Sequence, residues 1–406
     1  MTRPLNRAHA WFAQAPHGRR RSVLTLGALC IGFGALALGL AAPAAADPYT
    51  TYVAVGSDTT QDVMDQFAAN VSRGTVGSWD AVNPGTQPPI THEDITPKAG
   101  CHMTRPNGSG EGVNALRKSL NPGTTAPQLA DPPEPGCVDI ARSSSGPGTN
   151  ADPNGQLIYI PFALDAVATA TGPAVAVGPP DPAVATAITQ ADGFTQAQVA
   201  DMYDNCNPQT VNGVVYDPTG ATGTAIHLYL PQPGSGTRNF WATTLGFNAT
   251  TPPTCVHDHS VLDPTESIEE HDGTIYAQDA NAFGPFSVAQ WVSQKNHPAI
   301  DRRHNAVLHN LNGVAPLTAG GTLNTAYPIK REVYNVMLFS AVSNGAGGAG
   351  TDPVLSNLFA ARTGFTPTMC AGTSTILSFG FALLNGAPLG HTCGQVATNL
   401  RAFATI

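Results

Sequence analysis

A recurring turn constrains this chain more than any other feature. At four places, glycine and hydroxyl residues interrupt an ordered segment, and the clearest of these sets the pattern. The run Ile226, Leu228, Leu230 alternates like a strand and stops at Pro231 and Pro233. It passes through Gly234-Ser235-Gly236-Thr237 and resumes with Phe240, Trp241, Thr244 and Leu245 at helical spacing until Gly246. That is a strand, a tight loop and a helix N-terminus. The first N–H groups of a helix have no intrahelical partner and carry about half a unit of positive charge, so glycines and hydroxyls there can enclose an anion. Ser235 or Thr237 capping its own helix accounts for the same letters, so the anion reading rests on recurrence.

The second turn is Gly56-Ser57-Asp58-Thr59-Thr60-Gln61, after the buried run Tyr52 to Val55 and before Val63, Met64, Phe67 and Val71 at helical spacing. A helix capped by Ser57 or Asp58 is expected there, although a carboxylate at that place satisfies the helix dipole itself. The third is Asn107-Gly108-Ser109-Gly110-Glu111-Gly112, followed by Val113, Leu116 and Leu120 on one helical face. Its alternate glycines let backbone approach a ligand closely, and Ser109 can donate a hydroxyl; a surface loop entering a helix reads the same way. In the fourth, Val138 to Ala141 is a short strand running into Arg142-Ser143-Ser144-Ser145-Gly146-Pro147, where Arg142 offers a planar cationic fork beside three serines that could equally form a solvated turn.

Residues 1–46 read as an export signal: Arg19 to Arg21, an apolar run from Val23 to Leu40, and Ala44-Ala45-Ala46 before Asp47. Arg20-Arg21-Ser22-Val23-Leu24 loosely fits the twin-arginine pattern, so the export route stays open. Leu29 precedes Cys30 where a lipidated cysteine needs a small residue, and no lipid anchor is expected. The protein is therefore expected in the cell envelope or outside it. The remaining 360 residues, with five arginines removed, carry 14 basic and 28 acidic side chains, a formal charge of −14. That balance excludes a basic nucleic-acid or anionic-lipid footprint. Any anion site must then work through local dipoles. Six cysteines remain, Cys101, Cys137, Cys206, Cys255, Cys370 and Cys393; an even count in an exported chain predicts disulfides. Fifteen pairings are open, and pairing of neighbours is expected because each such pair brackets a loop-rich stretch.

Leu157 to Leu164 reads as an apolar strand in which Pro161 favours an edge or crossing position. Thr171 to Pro182 reads as a boundary. Thr195 caps a short helix over Phe194 to Tyr203, and further helices are expected over Phe283–Gln294, Glu332–Val342 and Thr375–Asn385. Between Gly246 and Gly273 the chain is loop-like. His257-Asp258-His259 and Glu269-Glu270-His271-Asp272 lie there without further ligands at a recognisable spacing, so a solvated loop is expected, with no metal and no cofactor. Short strands alternating with helices give an α/β chain.

In order and rough spacing, the four turns resemble the anion loops of the phosphate-binding proteins of bacterial ABC transporters, in an actinobacterial branch. The resemblance extends to Thr195–Tyr203 and Asn281–Trp291; it covers most of residues 50–300, and the last hundred only in general pattern. It implies a type II periplasmic-binding-protein fold with two α/β lobes and a cleft: 47–160 and 287–406 in the first lobe, 161–286 in the second. It implies ligand contacts at Thr59 or Thr60, Ser109, Ser235, Gly236 and Thr237, with Ser144 and Ser145 in the fourth loop. Where the family has an arginine four residues before the Gly-Ser-Gly-Thr serine, this chain has Pro231; where it has a proton-accepting aspartate, this chain has Ser145. Arg142 is the expected replacement cation.

The leading functional expectation is an exported, monomeric, non-enzymatic solute-binding protein that captures a small oxyanion, phosphate, for an ABC transporter permease. A secreted anion scavenger or surface interaction protein on the same fold is the alternative. A serine hydrolase using Ser235 or Ser143 to Ser145 is a weaker one, since there is no G-x-S-x-G elbow and nothing assigns His227, His257 or His271 as base.

Overall fold

The computed structural model describes residues 50–72, 74–83, 91–172 and 193–403. The expected export signal lies outside these residues, as does most of the expected boundary stretch.

The architecture is α/β around one long strand, Leu157–Thr171, none of whose 15 residues is exposed. A strand buried on both faces reads as a near-continuous apolar run, and this one does. Antiparallel neighbours flank it: Lys330–Leu338 on one side and Ala282–Ser287 on the other. Beyond Lys330–Leu338 come Ile140–Ser143, Tyr52–Gly56 and Val76–Ser78; beyond Ala282–Ser287 come His227–Tyr229 and Val256–His257. These outer strands pair in parallel, apart from the antiparallel join of Ile140–Ser143 to Lys330–Leu338.

Two main apolar cores result. Val53, Val55, Leu116, Ile158, Phe162, Val333, Met337 and Phe359 belong to one. Val167, Tyr203, Leu228, Trp241, Phe283, Leu311 and Tyr327 belong to the other. The long strand contributes to both, changing allegiance between Ala163 and Ala166.

Three sequence expectations are corrected. The long strand is the crossing segment, one of the two positions expected for Pro161, but it is central, and Pro161 is not at an edge. It faces Tyr334 where the register slips between Val333 and Tyr334, and an irregularity of that kind accommodates a residue that cannot donate to the ladder. Glu332–Val342 is not a helix: Lys330–Leu338 is strand and only Phe339–Val342 is helical. Both faces of that strand are buried, so apolar residues fall at every spacing and the helical one is coincidence; pairing on both flanks decides the outcome. Phe283–Gln294 likewise starts as the strand Ala282–Ser287, and its helix begins at Val288 with Ser287 as cap.

The Thr375–Asn385 helix is shorter than expected, covering Thr373–Ser378 before Gly380 turns the chain at φ +80°. Thr195 does cap Gln196–Asn205, through a reciprocal capping box with Gln198. The cysteines pair as neighbours, Cys101–Cys137, Cys206–Cys255 and Cys370–Cys393. Among the described residues no helix is long and apolar enough to cross a membrane.

Candidate functional site

The strand ends bring residues of all four turns together. The Ser109–Leu120 and Gly236–Leu245 helices begin against one another: the Gly110 N–H donates to the Gly234 carbonyl at 2.9 Å. Glycine is required at both contacts. A Cβ on Gly108 would lie 2.7 Å from the Gly234 carbonyl oxygen, and Gly108 has φ +101°. A Cβ on Gly236 would lie 2.4 Å from Ser109 Oγ and 2.5 Å from Ser144 Oγ. Ser109 and Ser144 are bonded to each other, Oγ to Oγ at 3.1 Å, and the Ser144 N–H donates to Ser109 Oγ.

Ser235 is the helix cap, accepting from the N–H groups of Thr237 and Arg238. Its hydroxyl donates onward, to Glu270 Oε2 at 3.1 Å. Thr237 and Thr59 both donate to Glu270 Oε1 at 2.6 Å. Capping and anion reading therefore hold for the same residue. The object these hydroxyls surround is a carboxylate from the chain itself.

A single cation stands behind the two threonines. Arg331 Nη1 donates to Thr237 Oγ1 at 2.7 Å and Nη2 to Thr59 Oγ1 at 3.2 Å. Each threonine hydroxyl thus accepts from a guanidinium and donates to a carboxylate, which polarises the chain of bonds. Asp165, on the long strand, fixes Arg331 through Nε and Nη2 and accepts from Ser287 Oγ and the Ala289 N–H. Gln290 holds the Thr59 backbone by donating to the carbonyls of Asp58 and Thr59.

The acid side of the cluster is buried as well. Burial and the charge of Asp58 push the Glu270 carboxyl up to about 7, against the pull of Arg331. Burial, with Asp58 next, puts Glu269 well above the carboxylate range. Burial also works to raise Asp58, but His271 outweighs it and holds Asp58 low. Glu270 and His271 are thus in the interior, at 0% and 1% exposure, where the sequence reading expected solvated loop. The Ser287 N–H bonded to the Glu270 carbonyl draws this segment in.

The remaining predicted residues lie elsewhere. Arg142 is fully buried, and its guanidinium donates to the carbonyls of Ala54, Gly56, Ser57 and Trp79 and to Ser78 Oγ, away from the hydroxyl group. Thr60 is the cap residue of Gln61–Gln66 but makes no side-chain cap bond; neither Ser57 nor Asp58 caps that helix, and Asp58 Oδ1 instead accepts from the Thr59 N–H. Ser145 lines a cavity of about 820 Å³ between the two cores, with Ser109, Tyr159, Phe240, Arg331 and Tyr334.

Arg331, Asp165 and Glu270 were missed as site residues. Asp165 carried a signal: a lone carboxylate inside an apolar strand needs a buried partner. Arg331, over 90 residues beyond the last turn, carried none.

The PBP superfamily domain model matches residues 41–338. The chain belongs to this superfamily. The large cavity is lined from both cores, which share the long strand. Solved structures similar to this PBP chain include a candidate phosphate ABC transporter substrate-binding protein from Clostridium perfringens with bound phosphate. It is 15% identical at TM-score 0.44, over 82% of this chain and 98% of that one. An ABC-type phosphate transport receptor from Vibrio cholerae is 13% identical at TM-score 0.44, over 82% and 99%. A phosphate-binding protein from Stenotrophomonas maltophilia is 15% identical at TM-score 0.40, over 87% and 99%. No curated protein matches the sequence.

Proposed function

We propose that this PBP-superfamily chain is an exported, monomeric solute-binding protein that captures phosphate by closing its two lobes, for delivery to an ABC transporter permease. One observation carries the reading: the hydroxyls of Thr59, Ser235 and Thr237, backed by Arg331, converge on a carboxylate, so the site is already built to hold oxyanion oxygens. Neutral donors at a helix terminus hold a dehydrated anion without a full counter-charge, and closure removes competing water. Ser109, Ser144 and Gly236 complete the wall, while Ser145 and Thr60 stand beside it.

Arg331 takes the place of the cation absent at Pro231, and Arg142 is structural. Glu270 is the internal stand-in that phosphate displaces. Its carboxyl, held near neutrality and bonded to the same hydroxyls, is the group that would take a proton from the ligand, a role Ser145 in the fourth loop cannot fill. The second lobe runs on to Ile329, supported by the packing of Leu311, Leu323, Tyr327 and Ile329 in the second core; that is a later return than residue 287.

Binding without catalysis is the reading for the serines: among the described residues no hydrogen bond joins Ser143, Ser144, Ser145 or Ser235 to a histidine. Calorimetric titration with phosphate, sulfate and a neutral sugar tests the proposal. Saturable binding of phosphate with no sugar binding is expected. Absence of binding to both anions would overturn it and turn attention to a surface interaction role.

A further inference from the structure

Beside Thr59 and Glu270 in the chain, three ligand-type side chains stand close together. Asp58 Oδ2, Glu269 Oε2 and His271 Nδ1 are buried atoms without a hydrogen-bond partner. Asp58 and His271 are 0% and 1% exposed. Their facing atoms stand 3.2 Å apart as an ion pair, outside hydrogen-bond geometry. Ligand atoms of the three residues all fall within 4.8 Å of one another. Such atoms around one ion, with bonds of roughly 2.0–2.2 Å, lie up to about 4.4 Å apart, so only a small side-chain adjustment separates the two arrangements.

The outer atoms of both acids are anchored. Asp58 Oδ1 accepts from the Thr59 N–H at 3.0 Å, and Glu269 Oε1 accepts from Asn107 Nδ2 at 3.0 Å. A second shell that ties one carboxylate oxygen and leaves the other facing inward is what orients metal ligands. The charge balance points the same way. Three acids meet here, Asp58 and Glu270 buried and Glu269 half-buried, while Arg331 is already committed to Asp165, and gathering acids out of water is costly without a cation. A second cavity, about 370 Å³, reaches Glu269 and His271 and is lined also by Asp263, Glu266, Asp272 and one cation, Arg302, which faces Asp62 at 3.8 Å.

We propose that Asp58, Glu269 and His271 form a binding site for a single divalent first-row transition ion, of the Zn²⁺ or Mn²⁺ type. One imidazole with two carboxylates favours such ions over Ca²⁺ or Mg²⁺, which prefer oxygen alone. The site does not depend on which anion the hydroxyl cluster takes. Bound there, the ion neutralises the acid face of that cluster.

The test is titration of the EDTA-stripped full protein with Zn²⁺, Mn²⁺, Ca²⁺ and Mg²⁺ separately, with bound metal counted by elemental analysis. One Zn²⁺ or Mn²⁺ per chain is expected, with a rise in Tm. Glu269→Gln, isosteric and at a half-buried position, should weaken binding at least tenfold while keeping the native circular dichroism, and Asp58→Asn should do the same. His102→Asn, at an exposed histidine outside the trio, should bind as the parent does. No uptake of Zn²⁺ or Mn²⁺ by the parent protein would overturn the site. So would uptake that Glu269→Gln and Asp58→Asn leave unchanged, and uptake of Ca²⁺ or Mg²⁺ alone would overturn the ion class.

Discussion

Arg142 and Arg331 show how little a residue's neighbours in sequence say about its partners. Arg142 sits beside three serines, yet every assigned donor bond runs to the strand ends beneath it, at Ala54, Gly56, Ser57, Ser78 and Trp79. Replacing it by Met would strand those carbonyls and remove the charge facing the half-buried Asp65, a cost of about 3–5 kcal/mol. The expected outcome for Arg142→Met is therefore a large fall in Tm, with phosphate affinity of the folded protein within about threefold of the parent. A folded Arg142→Met protein at the parent's Tm that had lost phosphate binding would make Arg142 the ligand's cation after all. Arg331 reaches the site only because the sheet places Arg331 opposite Asp165 across the ladder. That pairing is a property of register, which no local motif records.

Among elements, the Gly236–Leu245 helix carries two demands that can be separated. Alanine is a better helix former than glycine by about 1 kcal/mol, so Gly236→Ala should leave the helix no weaker. The added methyl, however, would press on Ser109 and Ser144 across the cleft. Tm is expected to fall, because two buried serines must move to admit the methyl, and phosphate affinity to fall at least thirtyfold, read by calorimetry; equal affinity would show that the two turns need not touch when ligand is held. The strand–turn–helix units at Ser109 and Ser235 were legible in the sequence because glycine, hydroxyl and apolar spacing are local. The sheet centre was not. In Lys330–Leu338 and Ala282–Ser287, burial on both faces erases the two-residue alternation, leaving spacings that imitate a helix. Glu270 and His271 were misplaced for a related reason: acidic letters in a loop look solvated until tertiary contacts turn them inward.

For the whole molecule, pH reaches stability through a group far from either site. His309 is buried, its Nε2 2.7 Å from Thr171 Oγ1, and burial pushes its imidazole down to about 4. The unfolded chain takes up that proton near pH 6.5. The contribution is therefore complete above about 6.5 and is eroded as pH falls toward 4, by roughly 3 kcal/mol at most. Stability measured by denaturant from pH 7 to 4 should fall less steeply in His309→Gln than in the parent; parallel slopes would rule the effect out.

The long strand also governs how the molecule can open. Residues 157–171 enter one core and leave through the other, hydrogen-bonded to Lys330–Leu338 as far as Ala166 and to Ala282–Ser287 from Val167 onward. The join is therefore a laminated leaf spring and not a door hung on a loose pin. Moving the lobes in either sense must twist paired backbone, so the strand's own ladder, and not a free loop, resists the motion and returns the molecule to its resting shape.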